Sequence, residues 1–202
     1  MEASPVKESI ARVAGVILAA GASTRLDGLK QLMTFRRRPL VIHSVETALE
    51  GHLDPVVVVV GPEGEAVKNA LMHHPVHIVE NTEPGRGQSS SVHLGLESVQ
   101  DQVEAVIFLL ADMPLVKPDL LKALVEQHRR SLAPVIAPFA QGKRGNPVLF
   151  DRRTFHSLRE VKGDQGGRAI FSHYPVVQLE WDDSVLFDVD SEEDLRKMRE
   201  ME

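Results

Sequence analysis

The sequence predicts one α/β domain built on a mostly parallel, Rossmann-like sheet with helices on both faces. Three observations carry this reading. Short apolar runs recur along the chain, and amphipathic segments separate them. The clearest run, residues 55–60, is five valines after a proline, which suits a strand buried on both faces. The 202 residues can bury one sizeable core, and no repeat, linker or low-complexity tract divides them.

Each element follows from its own stretch. Residues 13–18 form a compact apolar run stopped by Gly21, which fits the first strand. Residues 39–49 carry Leu40, Val41, Val45 and Leu49 at helical spacing. The valine strand closes at Gly61-Pro62, and residues 63–72 read as a helix before a short strand at 77–79. Residues 89–99 place Val92, Leu96 and Val99 on one side of a helix. Residues 105–110 are a further apolar strand, ended by "ADMP", and 117–130 form an amphipathic helix with Leu120, Leu121, Leu124 and Val125 inward. A strand at 134–137 follows. Beyond Ala140 the rhythm changes: "QGKRGNPVLF" reads as a hairpin or extended excursion, "GDQGGRAIF" opens a short helix, and 176–181 is a last strand.

Composition removes several classes of function. There is no cysteine, so disulfides, thiolate metal sites and cysteine nucleophiles are excluded. Net charge is −6, so a global basic footprint for nucleic acid is absent. No stretch is apolar for long enough to span a membrane. Residues 1–10 lack the apolar core of a signal peptide, so a cytoplasmic protein with a flexible tail over residues 1–12 is expected. The histidines form no ligand pattern, and no Ser-x-Gly elbow supports a hydrolase triad.

In open α/β sheets, ligands sit where the strands end and loops leave for helices. The unusual residues of this chain fall there. After the first strand, Gly21 opens a loop in which glycine lets backbone approach an anion, Ser23 and Thr24 offer hydroxyls, and Arg25 and Lys30 offer a guanidinium fork and a point charge. The spacing is neither a Walker A loop nor G-x-G-x-x-G, and on residues alone a solvated surface loop is an equal reading. After the strand at 105–110 comes Asp112, a carboxylate at the sheet edge suited to Mg²⁺, which takes one or two protein carboxylates plus phosphates. In "FDVDSEEDL", Asp188 and Asp190 share a side if the stretch is extended, while Asp190-Ser191 also reads as a helix N-cap. "NTEPGRGQSSS" opens a helix with amides and hydroxyls able to read a base or ribose, though an exposed loop with a serine cap fits as well.

Together these blocks resemble the molybdenum cofactor nucleotidyltransferases and, more widely, the small sugar-nucleotide pyrophosphorylase-like enzymes. The family opening, L-A-A-G-x-S-x-R-x-G-x-x-K, stands here as "LAAGASTRLDGLK". "KQLMTFRRRPLVIHSV", "GRGQSSSVHLGL", "LLADMPLV", "RGNPVLF", "KGDQGGRAIF" and "FDVDSEEDL" follow in family order, from about Ala14 to Leu195. The resemblance implies the nucleotide-diphospho-sugar transferase fold. It also implies transfer of a nucleotidyl group from a nucleoside triphosphate to a phosphorylated, molybdopterin-like acceptor, with pyrophosphate released. By that resemblance Gly21, Ser23, Arg25 and Lys30 hold the triphosphate, Leu18, Ala19, Ala20 and Gly21 meet base and ribose with Gly87 and Ser89, and Asp112 and Asp190 hold Mg²⁺. Arg25, Lys30 and Asp112 are the implied catalytic groups, and Asn146, Gly163, Asp164 and Arg168 face the acceptor. "LAAG" resembles the cytidylyl branch, which implies CTP. An apo-molybdoenzyme is the implied protein partner, with no nucleic acid and no membrane.

The chain departs from the family pattern at three places. Asp27 stands where glycine is usual, with Gly28 next. Arg37 stands where glycine is frequent in "F-x-G-x-P-L", and Glu192 replaces a usual proline. Asp27 adds a negative charge beside the expected triphosphate. It therefore supports a rival reading, a non-catalytic carrier of cofactor or nucleotide. Transfer to another phosphorylated metabolite on the same scaffold is a further alternative.

Overall fold

The computed structural model describes residues 12–21 and 29–201. The chain runs through β1 (Val13–Ala19), a small hairpin of β2 (Thr34–Phe35) and β3 (Arg38–Pro39), α1 (Leu40–Glu50), β4 (Val56–Val60), α2 (Glu65–Leu71), β5 (His77–Glu80), α3 (Gln88–Glu97) and β6 (Ala105–Leu110). It continues with α4 (Pro118–Ser131), β7 (Val135–Ala140), β8 (Lys143–Arg144), β9 (Val148–Asp151), α5 (Phe155–Glu160), β10 (Val176–Glu180) and α6 (Glu192–Glu200). The main sheet has the order β10-β7-β9-β6-β1-β4-β5, with β8 paired to β7.

The valine-rich strands behave as their composition requires. Successive side chains alternate between two cores, so a strand covered on both faces must be apolar throughout. Val56, Val58 and Val60 join Ile17, Ile107 and Leu109 under α1, α2 and α4. Val57 and Val59 join Val16, Val106 and Phe108 under α3 and α5. Helix α3 lies very close to the sheet. A Cβ on Gly95 would fall 2.3 Å from Val16 Cγ1 and 3.2 Å from Val59 Cγ2, so only glycine allows that approach. A third, smaller cluster packs Leu195 and Met198 of α6 on Phe35, Leu40 and Val189.

The sheet is mixed. β1, β4, β5 and β6 run parallel, but β9 is antiparallel to both β6 and β7. Beyond Ala140 there is no crossover helix to return the chain in parallel. Instead Gln141 and Gly142, both with positive φ (52° and 72°), make the tight turn that sends β8 back along β7. Arg36 and Arg37 turn the β2–β3 hairpin with φ of 45° and 64°. The left-handed backbone at Arg37 accounts for the glycine frequent there in the resembled family. Glu192 is the first residue of α6, after its cap Ser191, a position that suits proline and, by the helix dipole, an acid. Among the described residues no helix is long and apolar enough to cross a membrane.

Candidate active site

The parallel strands β1 and β6 end side by side, Leu18 opposite Leu110, and the polar groups gather just beyond them. Lys30 sits in a 3-10 turn, Lys30–Leu32. The neighbouring Gln31 is buried, and its Nε2 donates to the carbonyl of Gly21 at 2.8 Å, fixing the turn against the end of β1. From this anchor the Lys30 ammonium lies between two carboxylates, 2.6 Å from Asp112 Oδ2 and 2.5 Å from Asp190 Oδ1. Burial opposes the charge on Lys30, but Asp112 and Asp190 outweigh it and hold the ammonium above its ordinary pKa.

The 187–190 stretch reaches this point through the backbone. Val189 N–H donates to the carbonyl of Asp112 at 3.0 Å, and Val189 itself is buried. Alternation then turns Asp188 and Asp190 into the same crevice, as the sequence pattern predicts. Ser191 caps α6, its Oγ accepting from Asp194 N–H at 3.2 Å, so site and cap occupy adjacent residues. Loss of solvent raises the Asp188 carboxyl pKa above its usual range, the charges of Asp190 and Asp112 add to this, and Lys30 opposes it. The other oxygen of Asp112, Oδ1, is buried and has no hydrogen-bond partner. A carboxylate oxygen left bare beside a second carboxylate suits a hard divalent cation that accepts oxygen ligands. Among the described residues no group of three metal-ligating side chains occurs, so the protein would supply two carboxylates and substrate oxygens the rest.

A cavity of about 550 Å³ opens over these groups, walled by Leu18, Ala20, Gly21, Lys30, Gly87 and Asp112 among others. Ala19 points to the opposite side of the sheet and packs in the core under α1. Ser89 is buried in α3, and Ser91 lines the cavity instead. Asn81, almost wholly buried, donates to Ser90 Oγ at 2.8 Å and Ser91 Oγ at 3.0 Å and accepts from Glu83 N–H, which shapes the loop before α3. Ser23 and Arg25, with Asp27 and Gly28, lie outside the described residues.

A second cavity, about 250 Å³, adjoins the first across Leu18, Gln88, Leu110, Asp164 and Asp188, which line both. It contains Asn146 and Arg168. Gly163 lines neither cavity, but its left-handed turn (φ 68°) carries Asp164 to the wall. The two cavities touch through backbone: a Cβ on Gly87 would fall 2.5 Å from the carbonyl carbon of Gly163 and 2.7 Å from Asp164 Oδ1. The expected short helix at "GDQGGRAIF" is a 3-10 segment, Gly163–Ile170, broken at Gly166 (φ 53°), where a Cβ would fall 2.3 Å from Gln88 Oε1. Sequence reasoning passed over Gln31, Gln88 and Arg144. All three stand inside the quoted motif blocks, and that position is the one signal for them.

A lysine between two carboxylates at the strand ends of an open α/β sheet, beside two adjoining cavities, is an arrangement able to bind a phosphorylated ligand. Residues 15–179 match the MobA-like NTP transferase domain, and the chain belongs to that family. It is 31% identical over 166 residues to the purine catabolism protein PucB of Bacillus subtilis, covering 77% of this chain and 78% of that one. It is likewise 31% identical over 170 residues to the nicotine blue oxidoreductase of Paenarthrobacter nicotinovorans, covering 81% and 83%. Among solved structures, Rv0371c of Mycobacterium tuberculosis superposes with a TM-score of 0.82 at 27% identity over 94% of this chain and 98% of that one. A further crystal structure of Rv0371c is a complex with manganese.

Proposed function

We propose that this enzyme transfers CMP from CTP to the phosphate of a molybdopterin cofactor and releases pyrophosphate. The observation that carries this reading is the pairing of Asp112, half unsatisfied, with Asp190 about Lys30 at the mouth of two joined cavities. The larger cavity has the room for a triphosphate, and the smaller one, which adjoins it, would take the phosphate-bearing end of an acceptor. The manganese complex of Rv0371c supports a divalent metal in a protein of this fold, and Asp112 and Asp190 would hold Mg²⁺ here. Bound there, Mg²⁺ neutralises negative charge on phosphate oxygens.

In the proposed reaction an oxygen of the acceptor's phosphate forms a bond to the α-phosphorus. The bond from that phosphorus to the oxygen leading to the β-phosphate breaks, and its electron pair leaves with pyrophosphate. Such transfer needs positioning and charge neutralisation rather than a protein nucleophile. Lys30 is assigned to a non-bridging oxygen of the α-phosphate, where charge changes in the transition state. Arg25 is assigned to the β- and γ-phosphates, which its fork can grip at two oxygens. Leu18, Ala20 and Gly21 would meet the base and ribose, and "LAAG" favours cytosine. The product would pass in the cytoplasm to an apo-molybdoenzyme.

The test is pyrophosphate release with Mg²⁺ and molybdopterin, comparing kcat/KM for CTP, GTP, ATP and UTP in competition. CTP is expected to lead. A clear GTP preference overturns the choice of nucleotide. Binding of triphosphate and molybdopterin with no pyrophosphate released from any of the four turns the reading to a carrier.

A further inference from the structure

The second cavity is lined by two guanidinium groups that no carboxylate among the described residues pairs with. Arg144, on β8, lays its guanidinium over the ring of Phe171, 4.4 Å from the centroid. Its Nε is buried without a hydrogen-bond partner. Arg168 lines the same cavity. Two carboxylates, Asp164 and Asp188, also line it, yet neither forms an ion pair with either guanidinium. Among the described residues Arg144 and Arg168 pair with no carboxylate at all. Burial first, and then the charge of Arg168, lower the pKa of Arg144.

Two like charges converging on a pocket with an apolar wall of Phe108, Phe150 and Phe171 are costly alone. An anion between them reverses that cost, because charge-assisted bonds to a guanidinium are short and strong. We propose that Arg144 and Arg168 form the subsite that grips the acceptor's phosphate, with Arg144 its principal ligand. This rests on the nucleotidyl-transfer reading and names the group that the second cavity recognises. The choice of phosphate follows from the count of oxygens. A carboxylate offers two, which one fork takes up. A phosphomonoester offers three terminal oxygens and about two charges, enough for two forks at once. The stacking on Phe171 matters too, since it holds the guanidinium plane in place before the anion arrives.

The test is a titration of the whole chain, preloaded with CTP and Mg²⁺, with methyl phosphate followed by phosphorus NMR and with acetate as the comparison anion. Methyl phosphate is expected to bind the wild type and acetate to bind far more weakly. Arg144→Met should weaken methyl phosphate by about ten- to a hundredfold while CTP binding persists. Arg144→Lys keeps the charge and loses the fork and the stacking, so it should recover only part of the affinity. Arg168→Met, at an exposed position that folding tolerates, tests the same subsite if Arg144→Met fails to fold. Unchanged methyl phosphate affinity in the folded variants overturns the proposal, and acetate binding as well as methyl phosphate overturns the phosphate assignment. If CTP fails to bind the wild type while methyl phosphate still depends on Arg144, the nucleotide reading fails and the anion subsite stands.

Discussion

Strand β6 has a buried or half-buried aspartate near each end, and the two are treated in opposite ways. Asp151 of β9 pairs with Ala105, at the start of β6. Both of its oxygens are engaged: Oδ2 with His128 Nε2 at 2.7 Å, Oδ1 with Arg153 Nε at 2.7 Å and Arg153 N–H at 2.9 Å. Asp112, just past the other end, gives one oxygen to Lys30 and leaves the other bare. A carboxylate with both oxygens taken by its own chain contributes to the fold. One with an oxygen left over is poised for something the chain does not contain. The difference separates stability from function along a single strand.

The largest effect should come from breaking the open end. Asp112→Asn is expected to fold normally and to lose several kcal/mol of metal-dependent stabilisation, at least about a hundredfold in turnover. Pyrophosphate release and a melting curve, with and without Mn²⁺, check it. Wild-type turnover in this variant would remove Asp112 from the site.

The closed end predicts the converse. Asp151→Ala should cost about 3 kcal/mol of stability, since it leaves the buried His128 Nε2 without its partner and removes the acceptor of the Arg153 N–H. Turnover per folded molecule should be unchanged. Burial alone would raise the pKa of Asp151, but hydrogen bonds from Arg153 and His128 outweigh it and hold the pKa below the ordinary value. A depressed carboxyl pKa adds stability above the unfolded value and loses it as pH falls through the folded one. Urea midpoints for wild type and variant should therefore stay apart above about pH 4 and converge below it. Parallel curves down to strong acid would show that the pair adds nothing.

The smallest of the three effects tests the link between Lys30 and its acids. Lys30→Ala removes a charge-assisted contact worth about 1.5–3 kcal/mol, or one to two orders of magnitude in kcat/KM. If Lys30 serves the transition state, kcat falls more than KM for the triphosphate rises. A pure KM effect would make it a binding residue only.

The core-facing elements were legible because burial on two faces leaves a plain trace. β6 was read with its true bounds, since its apolar run meets an acid at the edge, and β4 needed only its valines. The antiparallel insertion of β9 was not legible as a sheet position: a hairpin signal says that strands pair locally, not which neighbours the second one joins. Asp112, Asp190 and Lys30 were legible as types at strand ends and through family likeness. Their meeting at one ammonium is a tertiary fact. Arg144 was hidden because the missing partner of a cation cannot be seen in one dimension.

Glycine 95 carries a mechanical consequence. Its missing methyl is a clearance: helix α3 rests on Val16 and Val59 with no spacer between. Gln88 and Ser91, about two turns and one turn back along that helix, form part of the cavity wall. A methyl at position 95 would work as a shim under a lever, lifting or tilting the helix and carrying Gln88 and Ser91 with it. The gauge of the nucleotide cavity is thus set partly from beneath, by a contact that no substrate touches.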